Sequence, residues 1–363
     1  MNKKQPFVRV VKRDGIEKWK SWMIRAGAVI LALIAVALFT FLVIGTNPGQ
    51  VYVLMWEGAF GNQIYLRDTI FFTAKLLIIA VALAPAFKMR FWNIGAEGQV
   101  LAGALATAVV MVYCGKLPAP LLYLIMFLSA VALGAIWGLI PAIFKAKWNV
   151  NETLFTLMMN YVAIQLVDYY YNRWRGSASA LGKLNKGTKA GYLPELFGSD
   201  NALMLLVVGA LTILMYLYLS RTKQGYEIAV VGESENTAKY AGMDVKRVII
   251  RTMIISGAVC GICGFMTVSG QDHSISSSTA GGYGFTAIIV AWLAKFNTLF
   301  MVIISLFIVF LEKGTNHITD TYAGFDDSAS KIVVGIMLFF VIGSEFFINY
   351  RLCFRKSDEK EGN

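Results

Sequence analysis

The stretch that covers residues 221–251, RTKQGYEIAVVGESENTAKYAGMDVKRVIIR, is polar, and it lies between two apolar runs that are each long enough to cross a bilayer. Six of its residues are lysine or arginine. Basic residues in short loops mark the cytoplasmic side of a membrane protein. The sequence therefore predicts a cytosolic segment between two membrane spans.

Within this segment, the motif ENTAKYAG predicts a short helix that begins near Glu235 and carries the small residues Ala238 and Ala241 on one side. Gly242 is expected to end the helix, because glycine readily adopts the left-handed conformation that follows a last helical turn. A small face of this kind can enter a groove on a partner protein. The alternative is a solvated loop helix that only connects two spans.

The composition of the chain is that of a membrane protein. Hydrophobic residues make up 57% of its 363 positions and charged residues 15%, with a mean hydropathy of +0.61. A soluble domain is nearer ~45–50% apolar. We therefore expect an all-α, polytopic integral membrane protein with about ten transmembrane helices and both termini in the cytosol.

The net charge of +11 does not indicate nucleic-acid binding. Most of the basic residues lie in the two tails and in short loops, a pattern that orients a membrane protein and attracts anionic lipids. Membrane lipids are therefore predicted partners, and nucleic acid is not.

The predicted organisation has three parts. Residues 1–23 form a basic cytosolic tail, residues 24–350 a transmembrane domain, and residues 351–363 a second cytosolic tail. The transmembrane domain includes an external loop, 172–201, and the cytosolic segment 221–251. The external loop is itself basic, against the positive-inside trend, but the inward bias over the whole chain remains.

Apolar runs predict the positions of the spans. Proline at position 85 is expected to break the second span, and Asn93 to cap the third. Two shorter runs, 285–294 and 299–311, are expected to be half-helices that dip into the membrane and return, with Lys295 near the turn. The longer predicted spans cover residues 26–44, 66–87, 93–113, 121–144, 149–172, 202–219, 248–268 and 332–348.

Two predicted spans carry polar faces that lipid would not tolerate. A charge at the bilayer centre costs ~2.5–3.5 kcal/mol even on insertion scales, so such faces must meet protein or a cavity. The third span has two adjacent rows of small or weakly polar residues. The first row is Gly95, Gln99, Gly103 and Thr107, and the second is Gly98, Ala102 and Ala106. On the fifth span the row is Glu152, Thr156, Asn160 and Asp168.

The cysteines do not indicate metal or redox chemistry. Cys260 and Cys263 form a CxxC motif, but the histidines His273 and His317 fall in other loops, so a metal site would lack ligands. The preferred interpretation is close helix packing by small residues. The glycines expected to share this packing are Gly257, Gly261 and Gly264.

The external loop contains a stretch that resembles a nucleotide-binding motif but departs from it in spacing and in one residue. The stretch GSASALGKL fails as a phosphate-binding loop, because five residues separate Gly176 from Gly182 and Leu184 stands where Ser or Thr should hold magnesium. No set of nucleophile, base and oxyanion donors is apparent either. The chain is therefore predicted to be a non-enzyme without a cofactor or a metal.

Four blocks resemble the permease subunits of ABC importers for nucleosides and simple sugars, a branch of the family that includes ribose and branched-chain amino acid permeases. In order, they are FWNIGAEGQ, NETLFTLMMNY, GYEIAVVGESENTAKYAGMDVKR and GGYGFTAIIVAWLAKFN. The resemblance implies a multi-pass protein of the bacterial cell membrane. It also implies three kinds of partner: an ABC ATPase subunit, a second related permease and an extracellular substrate-binding lipoprotein.

The same resemblance implies that the segment 221–251 contains the helix that couples to the ATPase. Glu235, Ala238 and Gly242 loosely resemble the family's Glu-Ala-Ala…Gly pattern. Asn236 and Thr237 stand where that pattern has alanines.

An ATP-driven importer is therefore the main hypothesis. The alternative is an ion-coupled secondary transporter that uses Glu97, Glu152 or Asp168. Structural roles are open for two of these: Glu152 follows Asn149 at capping-box spacing, and Glu97 lies near a helix start. The predicted substrate pathway comprises Trp92, Asn93, Glu97, Gln99, Glu152, Thr156 and Asn160.

Overall fold

The structure is a computed structural model that describes residues 8–13, 16–45, 47–196, 201–322 and 325–354. Two compact units divide the chain. One comprises Met1–Tyr65 and Phe310–Asn363, and the other comprises Leu66–Val309. Helices dominate both units among the described residues.

The elements are, in chain order, β1 (Val8–Lys12), α1 (Lys18–Ile44), α2 (Pro48–Phe60), α3 (Gln63–Lys88), α4 (Ala96–Cys114), α5 (Ala119–Trp148), α6 (Glu152–Arg175), α7 (Ala202–Arg221), α8 (Lys223–Glu233), α9 (Glu235–Tyr240), α10 (Val245–Thr267), α11 (Tyr283–Leu293), α12 (Thr298–Thr321), α13 (Asp327–Asn349) and β2 (Tyr350–Phe354). A π-helical turn, Val268–Asp272, continues α10.

Eight of the described helices are long and apolar enough to cross a membrane. They are α1, α3, α4, α5, α7, α10, α12 and α13. Helix α6 has comparable length but a more polar sequence, and α11 is apolar but short. The prediction of an all-α, multi-pass membrane protein is confirmed, whereas ten crossings and cytosolic termini stay predictions.

Two predictions about local structure around the second span are wrong. Helix α3 runs through Pro85 and ends at Lys88, because a proline this close to the C-terminal end removes one hydrogen bond without preventing the last turn. Asn93 does not cap the next helix, which begins at Ala96 after Gly95. Its side-chain oxygen instead accepts a hydrogen bond from the Gly95 backbone nitrogen at 3.0 Å.

Of the two predicted half-helices, only the first is a short helix, and its dip into the membrane and return stays a prediction. Helix α11 is short, and Lys295 lies in the turn that follows it, with a φ of +50°. The second run belongs to α12, a helix of 24 residues. Polar residues beyond Leu311 interrupt the hydropathy of that run but not its helical hydrogen bonds. Helix α2 was not predicted.

Contacts between glycines set the packing of α10 against α4 and α5 in the unit Leu66–Val309. A side chain on Gly103 would come within 2.5 Å of the Gly261 Cα atom, and one on Gly261 would overlap the Ala130 carbonyl. Cys260 and Cys263 are fully buried on the same helix. The small-residue packing predicted for the CxxC segment and for the third span is therefore confirmed.

In the other unit, α1 packs along α13. The Arg25 guanidinium lies 2.6 Å from the Glu345 carboxylate between these helices. Strands β1 and β2 pair antiparallel, with Val8 opposite Phe354 and Lys12 opposite Tyr350. This pairing brings the two ends of the described chain together.

Replacing Gly261 by valine should destabilise the fold, because the new side chain has no space beside the Ala130 carbonyl. Overpacking of this kind costs about 1–3 kcal/mol. Gly209→Val on α7 is the matched control, since a Cβ atom there meets nothing within 4 Å. Thermal unfolding in detergent, followed by size-exclusion chromatography, should show a lower melting temperature for Gly261→Val alone. Equal shifts in the two variants would contradict the packing.

Candidate functional site

The segment between α3 and α4, residues 89–95, is irregular yet mostly buried. Side chains of α6 bind its backbone. The Thr156 hydroxyl accepts a hydrogen bond from the Ile94 nitrogen at 3.1 Å, and the Asn160 amide donates to the Ile94 carbonyl at 2.9 Å. Irregular backbone at membrane depth is tolerated only where protein or water supplies such partners.

Asn160 also holds the first turn of α4. Its side-chain oxygen accepts a hydrogen bond from the Gly98 nitrogen at 2.8 Å, so a single amide joins α6 to both the irregular segment and the helix that follows it. Asn93 hydrogen-bonds to Gln99 and lies 3.3 Å from the Ser256 hydroxyl of α10. We call this buried set, Asn93, Gln99, Thr156, Asn160 and Ser256, the amide network.

Trp92 lies beside the amide network but remains accessible. Its side chain is 43% exposed, and its ring stacks on that of Trp292 at 5.3 Å between centroids. Phe87 and Phe296 complete an aromatic cluster around this pair. A stacked pair of half-exposed indoles offers flat apolar surface to a small molecule.

Glu97 is bound by the start of α11. One carboxylate oxygen accepts a hydrogen bond from the Gly282 nitrogen at 2.8 Å, and the other accepts one from the Gly284 nitrogen at 2.7 Å. The side chain is only 6% exposed. A side chain on Gly284 would overlap the Glu97 backbone. The carboxylate therefore ties α4 to α11 in the position where a helix N-terminus favours an anion.

Lys75, in the middle of α3, binds the segment that leads into α11. It is 3% exposed, and its ammonium group donates a hydrogen bond to the Thr279 carbonyl at 2.7 Å. The rings of Phe72 and Tyr283 lie 5.7 and 5.6 Å from it. Two buried side chains of opposite charge thus hold residues 279–284, which we call the clamped segment. Sequence reasoning missed Lys75, although a single lysine inside an apolar run is a signal for a functional or clamping role.

Glu152 lies apart from the amide network side chains. Its carboxylate pairs with Lys145 of α5 at 2.9 Å. The predicted capping box is wrong: Asn151 caps α6 by accepting from the Leu154 nitrogen, whereas Asn149 ends α5 with a φ of +52°. Thr156 and Asn160 face protein, as predicted: both bind the irregular segment, and Asn160 also binds the first turn of α4. Asp168 is partly exposed.

The other end of α4 meets the loop that follows α6. Asn185 donates a hydrogen bond to the Met111 carbonyl at 2.6 Å. Leu184 and Leu193 donate backbone hydrogen bonds to His273 and Ser269, respectively, and the Tyr192 ring stacks on His273. Among the described residues, 176–196 therefore pack at the end of this unit opposite to the amide network.

The segment 221–251 forms a helical hairpin that is capped at each step. Thr222 caps α8, Ser234 caps α9 and Asp244 caps α10, each by accepting a backbone N–H. Gly232 lies so close to the Lys88 carbonyl that a side chain would overlap it. The hairpin is therefore seated directly on the end of α3.

Helix α9 and its left-handed glycine occur where the sequence predicted them. Gly242 has a φ of +76°. Ala238 is fully buried within the chain, whereas Tyr240 is 93% exposed and Glu235 is also exposed. The predicted small docking face is therefore wrong for Ala238, which packs against its own chain, and a partner that approaches α9 would meet Glu235 and Tyr240.

Residues 65–342 match the family described as branched-chain amino acid transport system / permease component. The chain belongs to this permease family. The match begins at the start of α3 and therefore includes the amide network, the clamped segment and the hairpin.

Several curated relatives match this permease over most of their length. It is 30% identical to a glucose ABC transporter permease of Haloferax volcanii over 335 residues, which is 89% of this chain and 88% of the relative. It is 30% identical to a guanosine ABC transporter permease of Bacillus subtilis, over 87% of this chain and 92% of the relative. A nucleoside ABC transporter permease of Lactococcus lactis is 24% identical, over 86% of this chain and 90% of the relative.

Glu97→Gln should destabilise the permease, because a glutamine can accept one of the two backbone N–H groups but presents an NH₂ group to the other. Hydrogen bonds to a charged group contribute about 1.5–3 kcal/mol, and an unsatisfied buried donor adds to the loss. We expect a clearly lower melting temperature in detergent.

Glu195→Gln is the control, since the Glu195 side chain is exposed, and a surface substitution of this kind changes stability by about 0.5 kcal/mol or less. A Glu97→Gln protein as stable as the Glu195→Gln protein would show that the clamped segment does not depend on the carboxylate.

Proposed function

We propose that this permease is the membrane-spanning subunit of an ATP-driven importer in a bacterial plasma membrane, with nucleosides or related simple sugars as its substrates. The observation that carries the proposal is the capped hairpin 221–251, which is seated on the end of α3 and has an exposed face on α9. The relatives named as guanosine, nucleoside and glucose permeases support the substrate class.

The ion-coupled alternative is less well supported. A carboxylate that carries a coupling proton or sodium ion has to exchange its partner during each cycle. Glu97 is held by two backbone amides, and Glu152 is paired with Lys145. Both arrangements suit structural anchors.

The proposed partners meet the permease at opposite ends. An ABC ATPase subunit docks on the exposed side of α9, where Glu235 contributes charge, Ala238 supports the helix and Gly242 turns the chain. A substrate-binding lipoprotein docks at the end that carries residues 176–196. A second, related permease completes the transmembrane assembly.

The substrate pathway is proposed to run along the amide network, which is closed in this structure. The stacked Trp92 and Trp292 offer a surface for a nucleobase or the apolar face of a sugar ring. Passage requires α6 to release the irregular segment. The proposed lining residues are Trp92, Asn93, Glu97, Gln99, Thr156 and Asn160, with Glu152 at the edge.

Uptake in proteoliposomes tests the function. The permease is reconstituted with its ATPase and its partner permease, binding protein is added outside, and uptake of labelled guanosine and glucose is measured with and without internal ATP. We expect ATP-dependent uptake that survives an uncoupler. Uptake that an uncoupler abolishes, and that proceeds without ATP, would support the ion-coupled alternative instead.

Gly242→Val should impair coupling. The surrounding space is open, so the substitution acts only through the backbone, where a left-handed conformation costs a residue with a side chain about 1 kcal/mol or more. Glu235→Lys reverses a charge on the exposed face. Both variants should insert normally but lower co-purification of the ATPase and substrate-stimulated ATP hydrolysis.

Gly242→Asn is the matched control, because asparagine tolerates the left-handed conformation better than other residues with side chains. It should retain most of the ATPase association. Normal association and uptake in both Gly242→Val and Glu235→Lys would show that α9 only connects two spans.

A further inference from the structure

A cavity of about 260 Å³ opens beside the aromatic cluster, at the end of the unit that carries the hairpin. It lies where α3 and α7 end and α12 begins, and its lining includes the last residue of α3, Lys88, and the turn residue Lys295. Three membrane-crossing helices that start or stop at one level mark the border between the hydrocarbon and the headgroups. Neither the amide network nor the hairpin contributes a side chain to this lining.

The charge of the lining is positive. Lys88 and Lys295 contribute ammonium groups, and the described residues of the lining include no carboxylate. Lys88 is partly buried and donates a hydrogen bond to the Leu219 carbonyl at 3.1 Å, which fixes its ammonium group at the wall. The first turn of α12 starts at Thr298 on the same wall. The positive end of the helix dipole therefore also favours an anion there.

The remaining lining is apolar or weakly polar. Phe296, Leu219 and Tyr216 supply hydrocarbon and ring surface, and Ser220 lies at the exposed side. A phosphate oxyanion matches the lysines, and an attached acyl chain or glycerol matches the apolar wall. Basic pockets of this kind, between helices at a membrane surface, suit lipid headgroups.

We propose that this cavity binds the phosphate group of an anionic phospholipid. A free phosphate ion shares the oxyanion chemistry, but it leaves the apolar wall without a partner. Because Lys88 is the last residue of α3 and its carbonyl packs on Gly232, a lipid bound here lies directly beside the seat of the hairpin.

Retention of lipid by the purified permease tests the proposal. The protein is extracted from vesicles that contain equal amounts of phosphatidylglycerol and phosphatidylcholine, and bound lipid is counted by native mass spectrometry. We expect preferential retention of phosphatidylglycerol. The double variant Lys88→Gln/Lys295→Gln should lower it about 25-fold, about five-fold for each lysine.

Three further variants separate the site from its alternatives. Lys116→Gln/Lys183→Gln removes the same charge from exposed positions at the opposite end and should retain the lipid. Ser220→Trp obstructs the cavity with both lysines present and should lose it. Lys88→Arg/Lys295→Arg keeps the charge and should retain the lipid, which guards against a folding defect of the glutamine pair.

Equal retention of the two lipids, equal loss in the Lys116→Gln/Lys183→Gln protein, or undiminished retention in Ser220→Trp would overturn the proposal. Displacement of phosphatidylglycerol by excess inorganic phosphate would overturn it as well, since the site would then take the free ion.

Discussion

A bilayer offers no water to backbone amides and carbonyls, so every irregular segment at membrane depth needs a partner from the protein itself. Among the described residues of the unit Leu66–Val309, two segments of this kind are 89–95 and the clamped segment 279–284, which leads into the first turn of α11. Asn160 and Thr156 supply partners for the first, and Glu97 and Lys75 supply them for the second. The arrangement of α3, α4, α6 and α11 depends on these few side chains.

The same contacts would let the permease respond to the proposed ATPase partner at the end that carries the hairpin. Helix α9 follows α8 after the single extended residue Ser234, α8 packs through Gly232 on the last turn of α3, and the irregular segment follows α3 directly. In the proposed cycle, ATPase closure displaces the hairpin and loosens the hold of α6 on Ile94. The physical requirement is that substrate, water or a rearranged side chain replaces each broken hydrogen bond.

Sequence reasoning predicted the features that follow from hydropathy and local propensity. These were the membrane class, most of the spans, the short helix ended by Gly242 and the small-residue face of α10. The sequence-based predictions were wrong where contacts with residues distant in the chain determine the local structure. Pro85 does not break α3, and Asn93 bonds to Gly95 rather than capping a helix. The pairing of Glu97 with α11 joins residues 185 positions apart, which no local pattern reveals.

In the candidate site, too, local patterns predicted which side chains face protein, but not which groups they contact. A polar row on α6 was visible as a period of four, and it indicated that Thr156 and Asn160 face protein. The sequence could not show that their partners are the backbone of an irregular segment, because that segment has no periodicity. Lys75 was visible only as a lone charge in an apolar run. Its role became clear once the Thr279 carbonyl was placed beside it.

Hydrogen exchange of the permease in lipid nanodiscs tests the central claim most directly. The amides of Ile94, Gly98, Gly282 and Gly284 all donate to side chains rather than to a regular helix or sheet. If these side chains satisfy the irregular backbone, the peptides that cover residues 89–98 and 279–284 should exchange as slowly as the adjoining parts of α4 and α10. Exchange at the rate of the exposed loop residues 176–182 would contradict the account.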